Sequence, residues 1–244
     1  MSTPAPEAAE QLGRDGVVIV TGVLEPAAIE RGCALLDEIY ARPRDLALDA
    51  PGYSVDSGAA GEPILALPDG TRFVTNLVSK DAFFADLIDD PTVLGLVRSL
   101  IPDPVLSSLN SLEPVLGSGH QTLHRDEGPV GPEGVVTVNT LWLFDDVDAD
   151  NGATRYVPGT QATDELAEPD DPRVQYVTAP AGSVVVMNAH TLHGASVNLD
   201  GRRRRIVHVY FTRRGRRTQT DWATYVPSSV RDALGPDRRA LLGM

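Results

Sequence analysis

Five histidines punctuate the 244-residue chain: His120, His124, His190, His193 and His208. Four of them fall in two tight groups. The first contains Gln121-Thr122-Leu123-His124-Arg125-Asp126 and the second is His190-Thr191-Leu192-His193-Gly194. On a strand, side chains two residues apart share a face, so His124 and Asp126 can present an imidazole and a carboxylate side by side. One histidine from the second group completes a set of two imidazoles and one carboxylate. Such N and O ligands suit non-heme Fe(II) and leave positions open for a substrate or O2. His-x-Asp pairs also arise often by chance, so what surrounds this pair decides.

Other chemistries have no signature in the chain. There is no Gly-rich phosphate loop, no G-x-S-x-G turn and no H-E-x-x-H pair, and Gly13–Gly16 lacks the dinucleotide pattern. Cys33 is the only cysteine, which rules out an intrachain disulfide and a cysteine-rich zinc site. Asp145, Asp146, Asp148 and Asp150 lack the ligand pattern of a calcium loop and read as a solvated acidic turn. The net charge of −13 disfavours nucleic acid as a partner. The basic residues are 20 arginines and one lysine, Lys80, and eight of those arginines crowd between Gly201 and Thr220 with no acid among them. That stretch is the one strongly positive segment, and a dock for an anionic carrier or coenzyme A is one expectation for it. No apolar run approaches the ~20 residues that span a bilayer, and the first residues lack the features of a secretory signal. A cytoplasmic protein without a membrane partner is expected.

The elements that must position these residues can be read coarsely. Val17–Val20 predicts a short buried strand, and Glu25-Pro26 opens a helix to about Tyr40. Residues 43–72, rich in Pro and Gly, predict a long loop over a site. Asp81–Ile88 and Pro91–Leu100 predict two short helices parted by Asp90-Pro91. Beyond Ile101, short β-type runs recur: Val105–Leu109, Leu112–Leu116, Val135–Phe144, Ala153–Val157, Gln175–Val177, Ser183–Met187 and Arg205–Phe211. This pattern predicts a two-sheet jelly roll with an α-rich N-terminal part wrapped on it. We expect a single domain over 1–244, with a helix-rich part at 1–100, a β core at 101–215 and a C-terminal extension at 216–244.

Three segments together carry a family likeness: GHQTLHRDEG, then VNTLWLFDDVDADNGATRYVPGTQ, then AGSVVVMNAHTLHGASVNLDGRRRRIVHVYF. A Gln three residues before the His-x-Asp histidine, the NGA…VPG turn, a distal His-Gly, and an Asn and an Arg after it stand in the order of the phytanoyl-CoA dioxygenase family. The sequence resembles that family over roughly residues 70–215. The resemblance implies a double-stranded β-helix (a cupin-like jelly roll, mainly β with flanking α) and an Fe(II)- and 2-oxoglutarate-dependent dioxygenase. Such an enzyme oxidises a C–H bond with O2 while 2-oxoglutarate becomes succinate and CO2.

Carried over by residue, the resemblance makes His124, Asp126 and His193 the iron ligands. His193 is preferred to His190 because Asn198 and Arg204 follow it at the family's spacing. Arg204 is then the clamp for the distal carboxylate of 2-oxoglutarate, with Arg203 as runner-up. The chemistry agrees, since a guanidinium holds a carboxylate through two parallel hydrogen bonds. Gln121 and Thr154 are expected to contact the co-substrate. Ala195 stands where the family often has a hydroxyl. The carboxylate of Asp126 favours hydroxylation over halogenation, with desaturation, epimerisation or ring formation as alternatives. A non-catalytic binding barrel is the bland reading. Trp142, Asn110 and Tyr156 are candidates for the substrate pocket, while His120, His190 and His208 are read as structural. The substrate is expected to be a small biosynthetic intermediate.

Overall fold

The computed structural model describes residues 6–41, 65–66, 69–168 and 170–244. The predicted loop over 43–72 lies mostly outside the described residues. The chain begins with α1 (Pro6–Asp15), β1 (Val17–Val20) and α2 (Pro26–Ala41). After β2 (Leu65–Ala66) and β3 (Arg72–Val74) come α3 (Ala82–Asp86) and α4 (Pro91–Leu100). The β region holds β4 (Pro104–Glu113), β5 (Thr137–Leu143), β6 (Thr154–Tyr156), β7 (Gln175–Tyr176), β8 (Val184–Asn188), β9 (His193–Ala195) and β10 (Ile206–Arg213). Three short helices follow: α5 (Trp222–Tyr225), α6 (Ser228–Ala233) and α7 (Pro236–Leu241).

Local signals explain several boundaries. The Asp90 carboxylate accepts from the Thr92 and Val93 amides at 3.0 and 2.9 Å, and Pro91 fills the first turn of α4. Asp81 caps α3 in the same way through the Phe83 amide.

Two antiparallel sheets result, one ordered β1-β8-β5-β10-β4-β3-β2 and the other β7-β6-β9. Alternation divides each central strand of the large sheet between two environments. Val138 and Trp142 of β5, Val184 and Val186 of β8, and Val207, Val209 and Phe211 of β10 pack on the helical side. Leu141 and Leu143, Val185 and Met187, and Ile206 face the small sheet instead, where Tyr156 and Ala153 meet them. The architecture is therefore the expected jelly-roll arrangement of facing sheets with helices against one outer face. Contact with the helices is close: a Cβ on Gly32 of α2 would sit 2.0 Å from the Phe144 ring.

The predicted run Val105–Leu109 and the start of the run Leu112–Leu116 are one strand, β4, which ends at Glu113; residues 114–116 leave the sheet. Ser108↔Tyr210 and Leu106↔Phe211 are paired, so Ser107 is an extra residue in a β-bulge. The bulge anchors the C-terminal segment, since Ser107 accepts the Gln219 and Thr220 amides through its hydroxyl and carbonyl.

Candidate active site

Between the sheets lies a cavity of about 630 Å³. His124, Asp126 and His193 reach it, and one ligand atom from each lies within 4.8 Å of the others. His193 opens β9, as an edge residue of the small sheet. His124 is not on a strand; it is held to His193 by reciprocal backbone hydrogen bonds of 2.8 Å in each direction. The Asp126 amide donates to the Ala189 carbonyl at 3.1 Å. The backbone of Ala189 and His193 thus fixes both halves of the triad in one register.

Gly194 makes this approach possible. A Cβ there would stand 2.7 Å from the Thr122 carbonyl oxygen and 2.9 Å from that of Gln121. Buried Arg155 ties the same segment down through the Gln121 carbonyl at 2.8 Å.

Each triad imidazole is oriented by a carbonyl. His124 Nδ1 donates to Thr122 at 2.8 Å and His193 Nδ1 to Thr191 at 2.9 Å. Both Nε2 atoms are left with a lone pair toward the carboxylate, at 3.4 Å and 3.5 Å from Asp126 oxygens. Carbonyl-held imidazoles facing a carboxylate are the usual outfit of a metal site.

Electrostatics at the triad follow from burial and neighbours. The Asp126 carboxylate, which accepts a hydrogen bond once Nε2 is protonated, raises the His124 pKa above 6.5 against the effect of burial. Burial lowers that of His193, and the His124 charge adds to this. Burial pushes the Asp126 carboxyl up, but His124 and His193 outweigh it and hold the group below its ordinary value.

The four consecutive arginines part company. Arg202 pairs with Asp148 and Asp200, Arg203 with Glu113 and Asp37, and Arg205 with Asp145 and Asp37. Only Arg204 of the four turns into the cavity. It is 3% exposed, its Nε has no hydrogen-bond partner, and burial pulls its pKa down to about 10. Asn198 sets this register: its side chain donates to the Pro114 and Arg202 carbonyls and accepts from the Gly201 amide.

Gln121, Thr154 and Asn110 also line the cavity, as expected. Gln121 accepts from the Ala195 amide through its side-chain carbonyl at 3.2 Å. Two expected pocket residues do not belong there. Trp142 lies on the helical face of β5, fully buried, with its indole N–H donating to Thr140 at 3.1 Å. Neighbouring Leu141 faces the cavity in its place. Tyr156 faces the space between the sheets but packs in the apolar cluster with Val17 and Val185, and its hydroxyl donates to Gln175 at 3.0 Å.

His190 is structural, as expected, because both ring nitrogens are used: Nδ1 donates to the Gly128 carbonyl and Nε2 accepts from the Val136 amide. His208 departs from expectation, since it lines the cavity with Asn139, Tyr210, Ser108 and Gln219. The signal was present in the alternation along β10, where His208 and Tyr210 share a face with Arg204.

The sequence profile of the phytanoyl-CoA dioxygenase family matches residues 12–206. The chain belongs to this family. Dioxygenase af480 of Aspergillus fumigatus is 28% identical over 193 residues, covering 75% of this chain and 62% of that protein. The chain thus spans less than two thirds of that relative's length. Among solved structures, HygX from Streptomyces hygroscopicus, crystallised with nickel, 2-oxoglutarate and hygromycin B, superposes with a TM-score of 0.68 at 15% identity, covering 88% of this chain and 89% of HygX. SnoN, a non-heme α-ketoglutarate-dependent epimerase from nogalamycin biosynthesis, gives 0.65 at 19% identity, covering 85% and 82%. At these identities the structural likeness is one of fold.

Proposed function

We propose that this family member is an Fe(II)- and 2-oxoglutarate-dependent dioxygenase that hydroxylates a small molecule. The carrying observation is the pairing, across one cavity, of a His-Asp-His triad with a buried guanidinium that has no acid partner among the described residues. His124, Asp126 and His193 offer a donor set that fits Fe(II). The orphaned Nε of Arg204 fits the distal carboxylate of 2-oxoglutarate. Bound there, the metal and co-substrate supply O2 activation coupled to release of succinate and CO2.

The chain's own residues do the rest. Thr122 and Thr191 carbonyls hold the imidazole rings so that Nε2 faces the metal position. Arg204 and Gln121 orient the co-substrate, with Thr154 beside them. The cavity, at about 630 Å³, has room for 2-oxoglutarate and a small substrate. HygX with hygromycin B and the epimerase SnoN support a role on a biosynthetic intermediate, and the latter keeps epimerisation as the second outcome. The paired state of Arg202, Arg203 and Arg205 gives the expected anionic dock no free charge from those three.

Anaerobic addition of Fe(II) and 2-oxoglutarate to metal-free protein tests this. A visible metal-to-ligand charge-transfer band is expected in the wild type, none in Asp126→Ala, and a weakened one in Arg204→Ala. Metal binding without the band would point to an oxygenase that does not use 2-oxoglutarate. No metal binding would leave a binding barrel.

A further inference from the structure

The inner face of β10, with the residues that lead into it, carries polar side chains in a line. Arg204, just before the strand, and His208 and Tyr210 on it lie an even number of residues apart, and all three line the cavity. Arg204 stands at one end of the line. At the other, Tyr210 lies beside the Asp126 carboxylate of the triad. A molecule that reaches from the triad to Arg204 along this face runs beside His208.

His208 is prepared for that passage. The Asn139 side-chain amide lies 3.2 Å from its Nδ1 and donates to it, so the ring proton resides on Nε2. Asn139 is itself buried, at 6% exposure. Burial and the positive field of Arg204 hold the His208 pKa down to about 3, so the ring is neutral at any working pH. Among the described residues, Nε2–H has no protein acceptor. On the facing sheet Ala195 lines the same cavity and offers no hydroxyl.

We propose that His208 is a second binding residue for the co-substrate, donating its Nε2–H to an oxygen of 2-oxoglutarate while Arg204 holds the distal carboxylate. This rests on the function proposed above. Asn139 is then a positioning residue, fixing the His208 tautomer. A neutral donor to a carboxylate adds affinity without adding a second buried cation beside Arg204.

The test is affinity for 2-oxoglutarate, titrated anaerobically on Fe(II)-loaded protein and read from the charge-transfer band. The same titration on Ni(II)-loaded protein, followed by calorimetry, gives a readout independent of turnover. His208→Leu should weaken 2-oxoglutarate binding roughly tenfold or more, as loss of a hydrogen bond to a charged group does. His208→Gln, which keeps an N–H donor, should stay within about threefold of the wild type. Metal affinity without co-substrate should be the same in all three, which also shows that the variants are folded. Wild-type affinity in His208→Leu, or equal losses in Leu and Gln, would overturn the assignment. Failure of the metal-loaded wild type to bind 2-oxoglutarate would instead remove the proposed function and this inference with it.

Discussion

Arg204 makes stability and function pull in opposite directions. It is 3% exposed and, among the described residues, carries a charge with no ion-pair partner. Burial lowers its pKa from 12.5 to about 10, with partial relief from the field of the Glu113 carboxylate. At 1.36 kcal/mol per pH unit that fall corresponds to roughly 3 kcal/mol against the folded, co-substrate-free state. The folded state binds the proton more weakly than the unfolded chain, so the penalty is complete below about pH 10, and at pH 7 it is fully present. Replacing Arg204 with Met keeps an unbranched apolar stem and removes the charge. Glu113 retains Arg72 and Arg203 as partners, so no acid is stranded. We expect Arg204→Met to stabilise the protein by about 1–3 kcal/mol, a rise in Tm of roughly 2–4 °C for each kcal/mol in a chain of this size. Saturating 2-oxoglutarate with Ni(II) should add about 2.7 kcal/mol to the wild type at a hundred times Kd and nothing beyond the metal's own effect to the variant. Differential scanning calorimetry of both proteins, each with metal and with or without co-substrate, reads all of this. A lower Tm for Arg204→Met, or an undiminished response to 2-oxoglutarate, would refute the view of Arg204 as an unpaired cation awaiting a carboxylate.

Four further outcomes are expected. Gly194→Ala should push the Gln121–His124 segment off β9, costing about 1–3 kcal/mol by overpacking and weakening metal binding, read by calorimetric titration. Metal affinity should fall as pH drops through the raised pKa of His124, with the loss starting above about 6.5, because the proton competes for Nε2 while His193, lowered by burial, stays neutral; proton release on binding, measured in two buffers, checks this. Gly32→Ala should destabilise by about 1–3 kcal/mol through the Phe144 ring and leave 2-oxoglutarate affinity unchanged, as urea unfolding and the charge-transfer band would show. Trp142→Phe should lower Tm through the lost hydrogen bond to Thr140, worth about 1 kcal/mol, and again spare co-substrate affinity; a large affinity loss would return Trp142 to the pocket.

The triad could be read from the sequence because histidines are few and His124 and Asp126 are only two residues apart. The reason it works was less visible. His124 and Asp126 come together through backbone pairing with His193 and Ala189, not through a regular strand of their own. The strand face of Trp142 was also hidden. Asn139, Leu141 and Leu143 point inward on β5, but every residue of that strand is buried, so hydrophobicity shows no alternation to decide the face. Tyr156 had the right face, yet packing against Val17 and Val185 removes it from the cavity. In β10 the inward set includes His208 and Tyr210, and these polar residues marked the face that lines the cavity.

The four-arginine run shows what a sequence leaves open and what closes it. Alternation divides Arg202–Arg205 into two pairs and cannot choose within a pair. In the structure the choice falls to acids that are distant in sequence. Asp148 and Asp200 take Arg202 outward, Glu113 and Asp37 take Arg203, and Asp145 with Asp37 takes Arg205. Asn198 then pins the β9–β10 connection so that the remaining guanidinium enters the cavity. The acidic excess of the chain thus has a local use at this connection. It satisfies three cations and leaves the fourth, Arg204, without an ion-pair partner among the described residues, as the proposed carboxylate clamp requires.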